Sequence, residues 1–150
     1  MEWTIRAFQD RDTEPVVALW HEAGLTRPWN DPHLDIARKR SVQPELFLVA
    51  ALPTVENPDE ATVIGTVMAG YDGHRGWLYY LATTESVRGR GVARSLVQEA
   101  ERLLEEMGCP KVQLMVREGN EAVLGFYDAL GYERFTVANT GKRLVADVSR

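Results

Sequence analysis

The sequence contains very little cysteine. Cys109 is the only one among 150 residues, so no disulfide can form within the chain. A chain of this length can bury about two-thirds of its unfolded surface in one hydrophobic core without a disulfide or a metal. We therefore expect a single domain over residues 1–150 and no bound metal.

Long apolar runs are also lacking. No stretch approaches the roughly 20 apolar residues that a membrane-spanning helix needs. The first residues, MEWTIRAFQDRD, contain no apolar segment of the kind found in secretory signals. We expect a cytoplasmic protein with no membrane partner.

The chain has no excess of positive charge. It carries 17 Lys and Arg against 22 Asp and Glu, which gives a net charge of −5. A nucleic-acid partner needs a basic surface that neutralises its phosphates. The charge balance therefore argues against nucleic-acid binding.

A helix is clearly predicted between residues 92 and 107. Apolar residues recur there at helical spacing, namely Val92, Leu96, Val97, Ala100, Leu103, Leu104 and Met107. Gly108 follows the last of them, where a left-handed residue commonly closes a helix, and Pro110 prevents any continuation. The helix therefore has one buried face and a defined end.

The turn before this helix has an unusual composition. Arg88, Gly89, Arg90 and Gly91 follow one another, and no Asp, Ser or Thr stands where a side chain commonly caps the first N–H groups. Glycines let successive N–H groups converge, and the helix dipole adds partial positive charge there. Together with the guanidinium groups, this predicts an anion site and favours a pyrophosphate.

Two better-known phosphate loops do not fit this turn. The dinucleotide fingerprint would need a third glycine where Arg94 stands, and the nucleoside-triphosphate loop would need a Lys followed by Ser or Thr. The turn is therefore another kind of anion site, or else an ordinary Gly-rich turn with its arginines in solvent.

Alternation and turn residues predict seven strands. They lie at residues 2–8, 45–52, 62–71, 77–84, 111–116, 132–137 and 141–148. The second and third of them are expected to form a hairpin around a polar loop at residues 53–60.

Three further helices complete the predicted order. They lie at residues 12–24 with Asp12 as cap, at residues 34–40 with Asp31 as cap, and at residues 120–131. The order β-α-α-β-β-β-α-β-α-β-β predicts an α/β fold, in which a central mixed sheet carries helices on both faces.

Two motifs in this order resemble those of the GNAT superfamily of acyl-CoA-dependent N-acetyltransferases. Arg88, Gly91 and Ala93 match the family pattern Arg/Gln-x-x-Gly-x-Gly/Ala. The segment NEAVLGFYDALGY at residues 120–132 is similar to the second family motif and departs from it at Val123, where Ala is usual. The resemblance covers nearly the whole chain, and the pair of motifs is more specific than either alone.

A narrower resemblance rests on three short segments. RPWNDP at residues 27–32, GYDGHRG at residues 70–76 and GKRL at residues 141–144 look like those of the YpeA-type branch of bacterial GNAT proteins. This narrower likeness does not supply a substrate.

The resemblance implies where coenzyme A binds. In the family, backbone N–H groups of the glycine turn hold the pyrophosphate. Here the turn consists of Arg88, Gly89, Arg90, Gly91, Val92 and Ala93. The pantetheine arm is then expected between two splayed strands, beside the main chain of Leu81, Ala82 and Thr83. Asn120 resembles the family asparagine that contacts the pantetheine region, although it is equally a helix cap.

Tyr127 is the candidate general acid. It resembles the family tyrosine whose hydroxyl donates a proton to the departing thiolate. The alternative is a packing tyrosine, because Val123, Phe126 and Leu130 share its helix face.

The general base is less clearly indicated. Some relatives that acetylate protein N-termini place a Glu five residues before the motif asparagine, where this chain has Met115. Asp72, His74 and Tyr79 lie near the strand that faces the acceptor in the family, and a water held by one of them could remove the proton. We take Asp72 as the candidate. Its alternative is an ordinary turn residue, and His74 is equally an ordinary loop histidine.

The acceptor is expected to enter past two turn-rich loops. Trp29 and Asp31 lie in one of them and His74 in the other, with Tyr79 nearby. Asp31 or Asp72 would attract an ammonium group. The alternatives are that Trp29 only packs and that both Asp residues only shape turns.

The resemblance implies an enzyme that moves an acetyl group from acetyl-CoA to a primary amine of a small molecule or a peptide, by direct attack in a ternary complex. An acyl-CoA-binding regulator or an inactive relative would keep the same fold and turn. We expect acetyl-CoA as cosubstrate, an amine acceptor as partner, and a monomer or a homodimer.

Overall fold

The computed structural model describes residues 2–54, 56 and 61–147. The predicted loop at residues 53–60 lies largely outside the described residues, as does Val148 at the end of the last predicted strand.

The described chain forms a five-stranded sheet in the order β1-β2-β3-β4-β5. Its strands are β1 (Thr4–Ala7), β2 (Phe47–Pro53), β3 (Ala61–Tyr71), β4 (Gly76–Thr83) and β5 (Val112–Gln113). Its α-helices are α1 (Thr13–Glu22), α2 (Pro32–Arg40), α3 (Val92–Glu106) and α4 (Glu121–Ala129). Strands β1 to β4 pair antiparallel, while β4 and β5 pair parallel across α3. The predicted α/β class with a mixed sheet is confirmed.

Helices cover both faces of the sheet. Successive residues of a strand point to opposite sides, so each face has its own set of apolar side chains for a helix to bury. On one face, α1 and α2 place Trp20 and Ile36 against Val49 of β2. On the other face, α3 places Leu96 against a cluster that contains Val67 of β3. Burying a side chain of this size stabilises the fold by about 1.5–3 kcal/mol, so these two layers hold the helices in place.

Helix α3 has its predicted limits. It begins directly after Gly91, and Gly108 follows its end with a φ of +84°. Gly65 of β3 allows α3 to approach closely, because a Cβ there would lie 2.9 Å from Leu96 Cδ1 and 3.0 Å from Val92 Cγ1. This close contact fixes the first turns of α3 against the centre of the sheet.

Helix α1 begins near the predicted residue, but Asp12 does not cap it. The Asp12 carboxylate accepts hydrogen bonds from the Arg6 guanidinium at 2.7 and 2.9 Å and from the Gln9 N–H at 2.8 Å. The prediction that Asp12 caps α1 was wrong, because capping rules consider only local neighbours and the partner lies on β1. The buried carboxylate instead joins β1 to α1.

Helix α2 is capped as predicted. Asp31 Oδ1 accepts a hydrogen bond at 2.9 Å from the backbone N–H two residues on. Lys39 Nζ donates to Ala69 O at 2.5 Å, and the Gln43 amide pairs with both the N–H and the C=O of Tyr71. These side chains form hydrogen bonds with backbone groups at the end of β3 that extends past β2, and they anchor α2 to the sheet.

The two strands predicted after α4 are not formed in the described chain. Residues 132–147 contain no strand there. Strand β5 spans only Val112–Gln113, where residues 111–116 were predicted, so it offers few backbone partners to a following strand. Leu144 remains 86% exposed. The predictions of strands at residues 132–137 and 141–148 were therefore wrong. An alternating pattern forms a strand only where a neighbouring strand offers enough backbone hydrogen-bond partners.

Candidate functional site

The glycine turn joins β4 to α3 and has a left-handed backbone at both glycines. The φ angle is +81° at Gly89 and +89° at Gly91, values that residues with side chains rarely adopt. No side chain caps α3, and no described residue accepts a hydrogen bond from the backbone N–H of Val92, Ala93 or Arg94. The turn therefore leaves the first donors of α3 available to an anion.

Open space and positive charge accompany these donors. A Cβ placed on Gly89 or Gly91 would meet no atom within 4 Å. Arg88 is exposed immediately before them. The turn thus combines donors, charge and room, which are the properties that a pyrophosphate group needs.

Strand β4 has a free edge close to this turn. It pairs with β5 only at Gly76 and Trp77, and no other described strand borders it on that side. Its other edge holds β3, with Ala82 opposite Thr66. The backbone of β4 is irregular at Tyr80, which has a φ of +54°. The main chain from Leu81 onward is therefore open on one side, as a pantetheine arm would require.

Helix α4 carries the two residues of the second motif. Asn120 Oδ1 accepts a long hydrogen bond of 3.4 Å from the Val123 N–H, so the capping alternative is present. Tyr127 is 6% exposed and lies edge-on against the rings of Phe126 and Tyr132, at centroid distances of 5.0 and 5.1 Å. Burial raises the pKa of the Tyr127 hydroxyl, with a further contribution from the charge of Glu101. The hydroxyl is therefore protonated at neutral pH.

A cavity of about 820 Å³ lies beside β5 and α4. Its lining includes Tyr127, Leu114, Met115 and Phe135. Leu81, Ala82 and Thr83 are not among its lining residues. The structure therefore brings Tyr127 to the β5 side of the opening and not into one cavity with the end of β4.

Asp72 is held within its own turn. Its carboxylate accepts hydrogen bonds from the backbone N–H groups of His74 at 2.8 Å and Arg75 at 2.7 Å, and from Trp77 Nε1 at 3.1 Å. These bonds, led by that from Arg75, lower the pKa of Asp72. A carboxylate that is already ionised and hydrogen-bonded in this way is a weak base, so the geometry favours the turn alternative.

Asp72 and the glycine turn lie at opposite ends of β4. The strand has eight residues, which corresponds to about 25 Å at 3.3 Å per residue. His74 shares the Asp72 turn and is exposed, and Tyr79 is 45% exposed on the strand itself. Of the predicted acceptor residues on this side, Tyr79 therefore lies nearer to the glycine turn, and His74 lies farther from it in the turn before β4.

The connector between α1 and α2 holds the other predicted acceptor residues. Trp29 is 58% exposed, so it is not a core residue. Asp31 caps α2 through its carboxylate, and its backbone N–H donates to Asp147 Oδ2 at 2.9 Å. The packing alternative for Trp29 finds no support in this exposure, whereas the capping alternative for Asp31 is confirmed.

A polar cluster beside this connector was not predicted. Tyr80 Oη donates to Asp35 Oδ2 at 2.6 Å, and Asn30 Nδ2 donates to the same oxygen at 2.5 Å. The Tyr80 ring stacks on Trp20 at a centroid distance of 3.8 Å, and burial raises the pKa of Tyr80, helped by Asp35. Asn30 belongs to the RPWNDP segment at residues 27–32, which was the one signal for this cluster in the sequence. We call Asn30, Asp35 and Tyr80 the α2 cluster.

No helix of the described chain is long and apolar enough to cross a membrane. Within the same described residues, no group of three or more His, Cys, Asp or Glu side chains is placed to hold a metal ion.

Known proteins with similar sequences cover almost the whole chain. An acetyltransferase of Yersinia pestis (strain Pestoides F) is 49% identical over 143 residues, which cover 95% of this chain and 96% of the relative. An acetyltransferase of Pectobacterium atrosepticum is 48% identical, with the same coverage of both chains.

Solved structures and the family pattern agree with these relatives. A chain in the crystal structure of the NatC complex bound to Gag peptide and CoA has a TM-score of 0.74 at 24% identity, over 91% of this chain and 87% of that chain. This likeness concerns the fold alone. Residues 8–132 match the acetyltransferase (GNAT) family. The chain therefore belongs to the acetyltransferase (GNAT) family, as its motifs predicted.

Proposed function

We propose that this GNAT protein transfers an acetyl group from acetyl-CoA to the primary amine of a small molecule or a peptide. The observation that carries the proposal is the set of available N–H donors at the start of α3, next to the free edge of β4. The neighbouring NatC structure contains CoA and a peptide by its own description, which supports both the cosubstrate and an amine-bearing acceptor.

The glycine turn would hold the coenzyme by its pyrophosphate. The N–H groups of Val92 and Ala93 would donate to phosphate oxygens, and the Arg88 guanidinium would add charge. The pantetheine arm would follow the main chain of Leu81, Ala82 and Thr83, where β4 lacks a partner. Asn120 would contact this arm while it caps α4.

The reaction needs a neutral amine and a protonated leaving group. The amine nitrogen forms a bond to the thioester carbonyl carbon, and the carbon–sulfur bond breaks. Tyr127 would give its hydroxyl proton to the departing sulfur, because burial keeps that proton on the tyrosine at neutral pH. The amine proton would pass to water, and a proton from water would restore the Tyr127 hydroxyl before the next turnover.

We assign no proton transfer to Asp72. Its three hydrogen bonds and lowered pKa leave it little basicity. Asp72 would instead fix the turn that holds His74, at the side from which the acceptor approaches. Ionised Asp72 would still attract a cationic acceptor through space.

The test is acetyl-CoA turnover, measured as free-thiol release against a panel of amines, polyamines and peptides. We expect acceptor-dependent thiol release together with an acetylated product detected by mass spectrometry. If coenzyme A binds but no acceptor yields product, the protein is a coenzyme-binding relative without transferase activity.

A further inference from the structure

A second cavity lies between α2 and the sheet, on the face opposite α3. Its volume is about 320 Å³, and its lining consists of Asp35, Arg38, Lys39, Val42, Met68 and Tyr79. The lining thus combines a carboxylate with two cationic side chains beside an apolar wall. A ligand that carried only a positive or only a negative charge would leave the lining groups of the same sign without a partner.

Arg38 belongs to a site that already holds a carboxylate. Asp147 Oδ1 accepts from Arg38 at 2.6 Å, while its Oδ2 accepts from the Asp31 N–H at 2.9 Å and lies 2.8 Å from the Arg143 guanidinium. Two guanidinium groups and one backbone N–H therefore surround one carboxylate, which is a complete arrangement for carboxylate recognition. The occupant is supplied by the chain itself, from the end of the described residues.

Asp35 provides a second charged group a short distance away. Asn30 and Tyr80 both donate to its Oδ2, which fixes the carboxylate in place. Among the residues that the structure describes, its Oδ1 accepts only from Arg38, at a long distance of 3.4 Å. Because a carboxylate oxygen can accept two hydrogen bonds, Oδ1 retains capacity for an ammonium group.

The cavity lies close to the expected path of the pantetheine arm. Tyr79 lines it and stands two residues before Leu81 on β4, a separation of about 7 Å along the strand. Arg143 also donates to Asn30 Oδ1 at 3.2 Å, so the GKRL and RPWNDP segments meet at this place. The segment expected to line the acceptor's entrance thus meets the GKRL segment beside the cavity.

We propose that the acceptor is an amino acid or a similar small molecule that carries both an amine and a carboxylate. Its carboxylate takes the place of Asp147 on Arg38 and Arg143, and its ammonium group binds Asp35 before deprotonation. Asp147 is then a competitor built into the chain. This inference rests on the proposed acetyl transfer, and it narrows the acceptor from amines in general to amino acids.

The experiment compares the common α-amino acids with their carboxamides. We expect kcat/KM for the best amino acid to exceed that for its amide by roughly 10- to 100-fold, the usual effect of a hydrogen-bonded charge. Replacing Arg38 in the Arg38→Gln variant should remove this preference. Arg102→Gln is the matched control, since Arg102 is similarly exposed and also pairs with carboxylates, on α3.

Asp147→Asn separates competition from simple structural support. We expect KM for the amino acid to fall several-fold with kcat unchanged, whereas a structural role would raise KM and lower the melting temperature. Calorimetric titration of the same amino acids and amides into the protein loaded with CoA gives a readout that does not need turnover.

Equal binding and equal turnover of amino acids and amides would overturn the inference, even if acetyl transfer to amines is observed. Amino-acid binding without any thiol release would instead contradict the proposed function and leave the cavity assignment standing.

Discussion

Tyr127 joins packing and proposed chemistry in one side chain. Its ring is part of the α4 core, in edge-on contact with Phe126 and Tyr132. Its hydroxyl has a raised pKa because of burial. The packing role therefore rests on the ring, and the proposed catalytic role rests on the hydroxyl. A variant that lacks only the hydroxyl oxygen separates the two roles.

For Tyr127→Phe, we expect turnover to fall by roughly 10² while coenzyme A affinity stays near wild type, since loss of a general acid slows bond cleavage and not binding. Steady-state kinetics and calorimetry measure the two effects. Tyr132→Phe is the control, because it removes a neighbouring hydroxyl that donates to Glu101 at 2.7 Å. Wild-type turnover in Tyr127→Phe would make this tyrosine a core residue only.

The Asp12–Arg6 pair is a second residue-scale feature, and it predicts how stability depends on pH. Burial raises the pKa of Asp12. The hydrogen bonds from Arg6 and the Gln9 N–H lower this pKa by more than burial raises it, so the net shift is downward. A carboxyl group with a lowered folded-state pKa contributes stability that is complete above its unfolded value, about 3.9. That stability is lost as the pH falls through the folded-state pKa.

Asp12→Asn should therefore destabilise the protein by up to about 3 kcal/mol at pH 7, since it leaves Arg6 partly buried without its partner. The difference from wild type should shrink below about pH 4. Urea unfolding at several pH values measures it. Asp128→Asn, which breaks an exposed pair with Arg134, should change the free energy of unfolding far less than Asp12→Asn does. An Asp12→Asn variant as stable as wild type at pH 7 would contradict this account.

At the scale of elements, α3 and its glycine turn connect sequence to function most directly. The helix begins at Val92 without a capping side chain, and Gly91 precedes it with a φ of +89°. The left-handed glycine keeps side-chain atoms away from the donors, so the start of the helix stays open to an anion.

Gly91→Val is expected to weaken coenzyme A binding at least ten-fold, because a branched side chain would occupy the space of the pyrophosphate. The strained φ also costs roughly 1–3 kcal/mol of stability. Gly108→Val is the matched control, since Gly108 has a φ of +84° and no atom within 4 Å of a Cβ, at the other end of the same helix. Calorimetry that finds equal affinity in the two folded variants would argue against pyrophosphate at this turn.

Features that depend on neighbouring residues were predicted from the sequence, whereas features that depend on distant contacts were not. The limits of α3 depend on local periodicity and on Gly108, so they were predicted correctly. The strands predicted after α4 depend on a distant edge, and β5 proved too short to provide it. The α2 cluster was missed because Tyr80 lies 45 residues beyond Asp35 in the chain, so no local spacing relates it to Asn30 and Asp35.

At the scale of the whole molecule, an acidic protein is proposed to bind an acidic coenzyme. The net charge is −5, so overall attraction cannot bring coenzyme A to the chain. The proposal therefore has binding depend on donors concentrated at one turn, where backbone groups supply positive potential whatever the net charge. Helices cover both faces of the sheet, and they hold this turn and the cavity between α2 and the sheet in fixed positions.

A crystal structure with coenzyme A bound would show directly whether the glycine turn holds the pyrophosphate. We predict that pyrophosphate oxygens lie within hydrogen-bond distance of the backbone N–H groups of Val92 and Ala93, with the pantetheine arm along the free edge of β4. A coenzyme bound elsewhere, with these donors facing only solvent, would contradict the account.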